Sequence, residues 1–168
     1  MRSGGILISV IKIAIHPNYD GLTFYPSDSD VSVLTVPTNA FQGNSNIAPI
    51  AIHTSEVPAG TRCYVVGWGQ TNTSAYSDSN ELRYASMNIV SQSICIGFWV
   101  FMPNAHKLSC IRYCYGVDLC KGDEGTALVC DGKLSGIVSR GGCSNMLSLF
   151  TNIVVPSIRS FIRDQTGI

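Results

Sequence analysis

The side chains that could carry chemistry concentrate in one stretch of the chain's last third. Two cysteines enclose a Gly-Asp-Glu-Gly turn in Cys120-Lys-Gly-Asp-Glu-Gly-Thr-Ala-Leu-Val-Cys130, and an apolar run then leads to a glycine-rich segment that ends at Cys143. Carboxylates can act as acids and bases, and a pair such as Asp30 and Glu124 could hydrolyse a glycosidic bond. Because nothing else in the sequence supplies a sugar-binding cleft, this carboxylate hydrolase is kept only as an alternative.

The composition restricts both the partners and the compartment. The 168 residues contain 11 Lys and Arg against 11 Asp and Glu, so the chain offers no basic surface for nucleic acid or for an anionic membrane. Seven cysteines among β-branched runs and turn residues favour an all-β, disulfide-bonded, extracellular domain. A cytosolic protein with buried thiols is the alternative. No apolar run is long enough to span a membrane.

The N-terminal segment lacks the pattern of an export signal. Residues 6–15 are apolar, but Lys12 interrupts them, and His16-Pro17 follows where a small-residue cleavage site would be needed. Since an oxidised protein needs export, we expect the natural N-terminus to be missing from this sequence.

Short strands separated by turn clusters are expected to position the candidate residues. Alternating apolar and polar side chains predict the strands, and the spacing of Val154, Ile158, Phe161 and Ile162 predicts an amphipathic helix. The predicted elements are strands at 6–15, 31–36, 63–69 and 82–90, a helical turn at 91–95, a helix at 154–165, and a turn-rich connector at 38–62.

Several of these segments resemble the trypsin-like (chymotrypsin-fold) serine proteases. The family's loop reads Cys-x-Gly-Asp-Ser-Gly-Gly-Pro-Leu-Val-Cys, and the family shares the Gly67-Trp-Gly69 strand end, the His16-Pro-Asn-Tyr19 turn before Asp30, and the C-terminal helix. The resemblance spans residues 6–162. It implies an all-β, chymotrypsin-like double antiparallel β-barrel with an incomplete first barrel, a complete second barrel and a C-terminal α-helix. Residues 1–168 would form one domain, in which 1–50 are the remnant of the first barrel and 51–168 are the second barrel and helix.

The resemblance assigns a role to each candidate site residue. Asp30 falls at the triad acid and Glu124 at the nucleophilic serine. The oxyanion hole falls at Gly122, Asp123 and Glu124. The implied substrate-binding positions are Asp118, Ser139, Arg140, Gly141 and Ser148. Asp118 would select Lys or Arg, Ser148 would narrow the pocket, and Arg140 could fold over Asp118.

The family's catalytic apparatus is incomplete in this sequence. Neither His16, His53 nor His106 matches the family's Ala-Ala-His-Cys motif. A glutamate is a poor nucleophile here because its acyl product would be a reactive mixed anhydride, and its charge would oppose an oxyanion. The Ile-Val-Gly-Gly start that supplies a cation for the aspartate is also absent. We therefore expect a zymogen-like loop with Asp123 turned elsewhere. Thr126 stands where the family has a glycine, and it would be strained there if that glycine has a positive φ.

The remaining cysteines also acquire roles from the resemblance. It implies the disulfides Cys63–Cys130, Cys95–Cys110 and Cys120–Cys143, which spacing alone could not select, and it leaves Cys114 free. A zinc site is the competing interpretation, with loosely spaced ligands at Cys110, Cys114, Cys120 and His106. Asn72 begins an N-glycosylation sequon. We expect no cofactor and no metal.

These features predict a secreted, catalytically inactive serine protease homologue that binds proteases, inhibitors or substrates without cleaving them. A barrel that lacks strands exposes edges and an apolar face, so we also expect a partner that completes the first barrel. The main alternative is a truncated trypsin-like endopeptidase that cleaves after Lys or Arg.

Overall fold

In a computed structural model, the chain forms a two-stranded sheet and a closed barrel, and two helices lie outside them. The structure describes residues 5–21, 29–70, 79–102, 109–114, 118–143 and 146–168. Its elements are β1 (Lys12–Ile15), β2 (Ser32–Thr35), β3 (Arg62–Gly67), β4 (Arg83–Ile89), α1 (Gln92–Phe98), β5 (Ser109–Tyr113), β6 (Ala127–Cys130), β7 (Lys133–Arg140), β8 (Ser148–Asn152) and α2 (Pro156–Thr166).

Six antiparallel strands close the barrel in the order β3-β4-β5-β8-β7-β6. In β3, Cys63 and Val65 are buried while Tyr64 and Val66 are exposed, which is the alternation of a strand with one face in a core. The Asp131-Gly132 turn joins β6 to β7 with positive φ at both residues, as a two-residue hairpin turn requires. The main cluster of the barrel core consists of Cys63, Val65, Ala85, Met87, Ile111, Leu119, Leu128, Cys130, Val138 and Phe150.

Among the described residues the small sheet consists of β1 and β2, in antiparallel register with Ile13 opposite Leu34 and Ala14 opposite Val33. Both strands are shorter than the predicted strands at 6–15 and 31–36. Beyond the four paired positions, Ile11 N–H donates to Thr35 O at one end of β1, and His16 N–H donates to Val31 O at the other. An apolar pattern alone therefore overestimated this strand, because its length is set by the pairing that β2 offers.

Helix α2 packs one face against the small sheet and ends at a left-handed glycine. Ile158, Phe161 and Ile162 are buried with Ala14 and Val33 of the sheet packed against their cluster. The helix begins at Pro156, so Val154 lies before it and not in its first turn as predicted. Gly167 has φ 79° and donates its N–H to Arg163 O. Helix α1 is longer than the predicted turn at 91–95.

Six cysteines form the disulfides Cys63–Cys130, Cys95–Cys110 and Cys120–Cys143, as the resemblance implied. The zinc interpretation is therefore wrong for Cys110 and Cys120, whose thiols are oxidised. Cys114 is a half-buried free thiol that donates to Asn88 Oδ1 at 3.1 Å. His106 and Asn72 lie outside the described residues. In the part of the chain that is described, no group of three or more ligands could hold a metal, and no helix is long and apolar enough to cross a membrane.

Loop length gives the disulfides different expected contributions to stability. Cys63 and Cys130 are 67 residues apart and Cys95 and Cys110 are 15 apart. Paired replacement by alanine is expected to lower the free energy of unfolding by about 4 kcal/mol for the first bridge and about 3 kcal/mol for the second, because longer loops lose more entropy on closure. Urea unfolding measures both. The control Cys114→Ser should change stability by less than about 1 kcal/mol, and a larger loss for Cys95–Cys110 than for Cys63–Cys130 would contradict the ranking.

Candidate functional site

The buried carboxylate of Asp123 holds the 120–125 loop against the barrel. Asp123 is only 7% exposed. Its Oδ1 accepts the N–H of Gly69 at 2.8 Å, and its Oδ2 accepts the N–H of Cys120 at 3.1 Å. A Cβ atom at Gly67 or Gly69 would overlap this carboxylate. The glycines of the Gly-Trp-Gly strand end are therefore needed to admit Asp123.

The expectation that Asp123 turns elsewhere for lack of a cation needs correction. No described Lys, Arg or His pairs with Asp123, yet the side chain is buried. Two backbone N–H groups supply the compensation instead, because charge-assisted hydrogen bonds can stabilise a buried carboxylate. The sequence signal that was missed is the glycine pair 67 and 69, which provides both space and a donor.

The condition for strain at Thr126, a positive φ, is not met in the structure. Positive φ values in this loop fall on Gly122 (93°) and Gly125 (82°), while Thr126 is not among the residues with positive φ. Thr126 Oγ1 instead donates to the carbonyl of Asp123 at 2.8 Å, and Thr126 O accepts the N–H of Val138. The threonine therefore adds a hydrogen bond to the loop without opposing its backbone.

The carboxylate of Glu124 lies over the predicted oxyanion hole. Glu124 is exposed, and its Oε2 accepts the N–H of Gly122 at 2.8 Å. The resemblance assigns that N–H to the hole, where it would have to face the developing charge of a bound acyl group. In the observed arrangement the donor is already engaged, and the group that engages it is an anion.

Asp30 and Ser139 are brought together from opposite ends of the chain. Ser139 Oγ donates to Asp30 Oδ2 at 2.6 Å, and Thr151 Oγ1 donates to the backbone carbonyl of Asp30. Ser139 lies at a register shift between Val138 and Arg140, where β7 is irregular against β8. Such irregularities re-aim side chains, which accounts for the direction of the Ser139 hydroxyl. Thus the predicted triad acid contacts the predicted substrate-binding strand.

Neither described histidine forms a hydrogen bond with Asp30. His16 is buried, its Nδ1 accepts the N–H of Asn18, and its ring packs edge-on against Phe161 at 5.0 Å. His53 Nε2 lies 3.1 Å from the carbonyl oxygen of Cys130, at the end of β6. Both imidazoles are thus engaged in packing or in backbone contacts, and among the described residues no imidazole hydrogen-bonds to Asp30.

The remaining substrate-binding positions form the wall beside the Cys120–Cys143 disulfide. Ser148 is fully buried, and its Oγ accepts the N–H of Gly142 at 2.8 Å. A Cβ atom at Gly141 would lie 2.7 Å from the carbonyl oxygen of Cys120, so this strand end must approach the loop closely. Arg140 is exposed at the end of β7. The hydroxyl of Ser148 therefore holds the backbone at Gly142 in place by a hydrogen bond.

Asp118 lines a cavity on the barrel side of the loop. The cavity has a volume of about 220 Å³, and its lining includes Asp118, Asp123, Arg83 and Gly69. Ser139, Arg140, Gly141 and Ser148 are not in this lining. Asp118 Oδ1 also accepts the N–H of Leu119 at 2.8 Å. The proposed contact of Arg140 with Asp118 stays a prediction.

The sequence and the fold are similar to those of known proteases. The family profile described as Trypsin matches residues 2–162. Trypsin-1 of Salmo salar is 38% identical over 139 residues, which cover 82% of this chain and 55% of that protein. The trypsin of Sus scrofa is 33% identical over 150 residues, which cover 87% of this chain and 63% of that protein. The chain thus spans just over half to just under two thirds of the length of these relatives.

Comparison with a solved structure shows that the similarity extends to the fold. The structure of neuropsin, a serine protease expressed in the limbic system of mouse brain, matches with a TM-score of 0.80 and 25% sequence identity. The match covers 94% of this chain and 71% of that chain. The chymotrypsin-like fold that was expected from the sequence is confirmed.

The buried hydrogen bonds of Asp123 predict its contribution to stability. Asp123→Ala is expected to lower the free energy of unfolding by about 3 kcal/mol, because the N–H groups of Gly69 and Cys120 would lose a charged acceptor. Chemical denaturation of the oxidised chain measures the loss. Asp164→Ala, on the exposed side of α2, is the matched control and should cost less than about 0.5 kcal/mol. Equal effects of the two substitutions would contradict a structural role for Asp123.

Proposed function

The chain belongs to the trypsin family, and on that premise we propose that it is a secreted, non-catalytic serine protease homologue that acts by binding. The observation that carries the proposal is the 2.8 Å hydrogen bond from the Gly122 N–H to Glu124 Oε2. It occupies a donor that acyl transfer requires, and it does so with a carboxylate at the position of the nucleophile.

The chemistry of a glutamate at this position supports the loss of catalysis. Attack by the Glu124 carboxylate on an amide would give a mixed anhydride, which is more reactive than the amide that was cleaved. The same carboxylate would repel the oxyanion that forms during attack, whereas preorganised donors are the main source of stabilisation in such sites. The Glu124 carboxylate therefore disfavours the reaction in two ways. Its acyl product would be a reactive anhydride, and its charge would repel the oxyanion.

The surroundings of Asp30 support the same conclusion. A triad aspartate acts by orienting a histidine and stabilising the imidazolium that forms on it. Here the described histidines, His16 and His53, make their contacts elsewhere. Because no described imidazole hydrogen-bonds to Asp30, the described residues offer no general base that would activate a serine at position 124.

The binding role is proposed for the wall between β7 and the Cys120–Cys143 disulfide. Ser139, Arg140 and Gly141 occupy positions that pair with substrate backbone in the family, and the exposed guanidinium of Arg140 adds a charge at this edge. The partners proposed for this surface are proteases, their inhibitors or their substrates. A partner bound in this way would be held without cleavage.

An active trypsin-like endopeptidase with Lys or Arg preference is the second candidate. The contact between Asp30 and Ser139 favours it, because it keeps the triad-acid position joined to the substrate-binding strand. Asp118 at the specificity position is consistent with a basic substrate. Glu124 is difficult to reconcile with this candidate. A truncation could remove the histidine, but it would not replace the nucleophile at residue 124, which lies well inside the chain.

A peptide hydrolysis assay separates the two candidates. The oxidised chain is expected to leave peptides with Lys or Arg uncleaved, and Glu124→Ser is expected to remain inactive because no described imidazole serves Asp30. Amide cleavage is followed with a chromogenic arginine anilide, with active trypsin as the positive control. Turnover of the unmodified chain that a serine-directed covalent inhibitor blocks would overturn the proposal, and turnover by the serine variant would show that only residue 124 is lacking.

Binding of a protein inhibitor tests the occupied hole directly. An inhibitor that docks a peptide carbonyl in the oxyanion hole should bind Glu124→Ala at least about tenfold more tightly than the unmodified chain, since the Gly122 N–H is freed and a charge is removed. Titration calorimetry measures the two affinities. Glu56→Ala, which removes an exposed carboxylate from the connector, should leave the affinity unchanged. Equal affinities for the Glu124→Ala and unmodified chains would contradict the occupied hole.

A further inference from the structure

A cavity of about 210 Å³ opens at the end of the barrel that is remote from the candidate site. The candidate site lies where β3 ends at Gly67 and β7 ends at Arg140, whereas the cavity lies where β4 ends and where β5 and β7 begin. None of the described residues of the candidate site lines it. Its polar lining consists of Glu56, Ser91, Gln92, Ser109, Ser135 and Asn152. We call this space the barrel-end cavity.

The most buried part of the barrel-end cavity is apolar except for one hydroxyl. Cys110, Ser135 and Phe150 line it and are 1%, 4% and 7% exposed. A Cβ atom at Gly136 would overlap the ring of Phe150, so this glycine lets the ring lie directly against β7. The hydroxyl of Ser135 donates to Lys133 O at 3.3 Å, which is long for such a bond, and its oxygen can still accept. A ligand would therefore meet carbon surface and one acceptor at the bottom of the cavity.

The walls of the cavity carry polar groups that the fold leaves unused. Asn152 Oδ1 accepts the N–H of Val154 at 3.2 Å, but no described residue accepts a hydrogen bond from Asn152 Nδ2. The Ser109 hydroxyl and the Glu56 carboxylate also have no hydrogen-bond partner within the described residues. The walls thus offer a ligand two N–H donors, a hydroxyl that can donate or accept, and a carboxylate that accepts.

This combination of groups discriminates between ligands by their charge. An ammonium only donates, so it would leave the Asn152 hydrogens unpaired, and a phosphate only accepts and would be repelled by Glu56. The described lining includes no Lys or Arg that could offset that repulsion. A neutral ligand with several hydroxyls can donate to Glu56 and accept from Asn152, while its carbon skeleton packs on the apolar bottom. The lining therefore favours a sugar.

We propose that the barrel-end cavity binds one hexose ring, either as a free sugar or as the end residue of a glycan. The volume corresponds to about seven water molecules at roughly 30 Å³ each, which suits a single ring. The described lining contains one carboxylate, whereas glycosidases use two, so the ring is bound without hydrolysis. This site is independent of the binding surface proposed at the opposite end of the barrel.

Amide NMR of the ¹⁵N-labelled, oxidised chain tests the proposal with D-glucose, D-galactose and D-mannose. At least one hexose should give saturable shifts at the amides of Ser109, Ser135 and Asn152, with a Kd on the order of 1 mM for about twelve non-hydrogen atoms. Methyl glycosides of the same sugars distinguish the two sources, and both results support the proposal. A glycoside that binds as well as the free sugar indicates the end of a glycan, and one that fails to bind indicates a free sugar.

Two charged probes test the chemistry of the lining. Methylammonium and inorganic phosphate are expected to give no saturable shifts at these amides up to about 50 mM. Saturation by either ion with a lower Kd than that of any hexose would overturn the proposal. The absence of saturation with all three hexoses over the same range would overturn it as well.

Two variants and a matched control locate the site. Asn152→Asp keeps the acceptor for the Val154 N–H but removes both donors, so the Kd should rise at least about tenfold. Asn44→Asp is the control and should leave the Kd unchanged, because Asn44 Oδ1 accepts the N–H of Asn46 in the same way outside the lining. Ser109→Ala should raise the Kd about threefold or more. It replaces the first variant if near-ultraviolet circular dichroism shows that Asn152→Asp is unfolded.

Hexose binding that is unchanged in the folded Asn152→Asp and Ser109→Ala chains would overturn the proposal. An equal loss of affinity in Asn44→Asp would also overturn it, because the effect would then not come from the cavity. None of these outcomes depends on whether the chain cleaves peptides or binds a protease inhibitor.

Discussion

The buried carboxylate of Asp123 is the interaction on which the candidate site depends. It joins the end of β3, through the N–H of Gly69, to the start of the disulfide-bounded loop, through the N–H of Cys120. A buried charge is tolerated only when hydrogen bonds replace its hydration, so the loop has few alternative positions. With Asp123 fixed, the left-handed glycines 122 and 125 turn the backbone so that the residue between them, Glu124, can reach back to Gly122. One buried anion thus places a second, exposed anion over the oxyanion hole.

The barrel and the small sheet differ in how completely their strands are paired and their apolar faces are covered. The barrel closes on itself, so all its strands have partners on both sides and its core is filled. The small sheet has two strands, one face on α2 and one face of isoleucines and leucine in solvent. The packing of the small sheet therefore derives mainly from its contacts with the helix.

How much of this could be predicted from the sequence depended on whether a feature is local or distant along the chain. The all-β class and the buried face of α2 follow from local periodicity, and the three disulfides follow from the resemblance, since spacing alone allows many pairings. The bond between Asp30 and Ser139 joins residues 109 positions apart, and a single sequence contains no signal for it. Whether Thr126 is strained depends on its φ, which the residue type does not determine. The burial of Asp123 was misjudged because its hydrogen-bond donors are backbone N–H groups. Residue types do not reveal these donors, because the fold determines their direction.

The central claim is that Glu124 occupies the Gly122 N–H, and amide NMR tests it most directly. The ¹H shift of the Gly122 amide and its dependence on temperature would be compared between the unmodified chain and Glu124→Ala at one neutral pH. We predict that the amide proton moves upfield and becomes more temperature-dependent in the variant, because it loses its hydrogen bond to the carboxylate. A Gly122 amide that behaves identically in both chains would contradict the account.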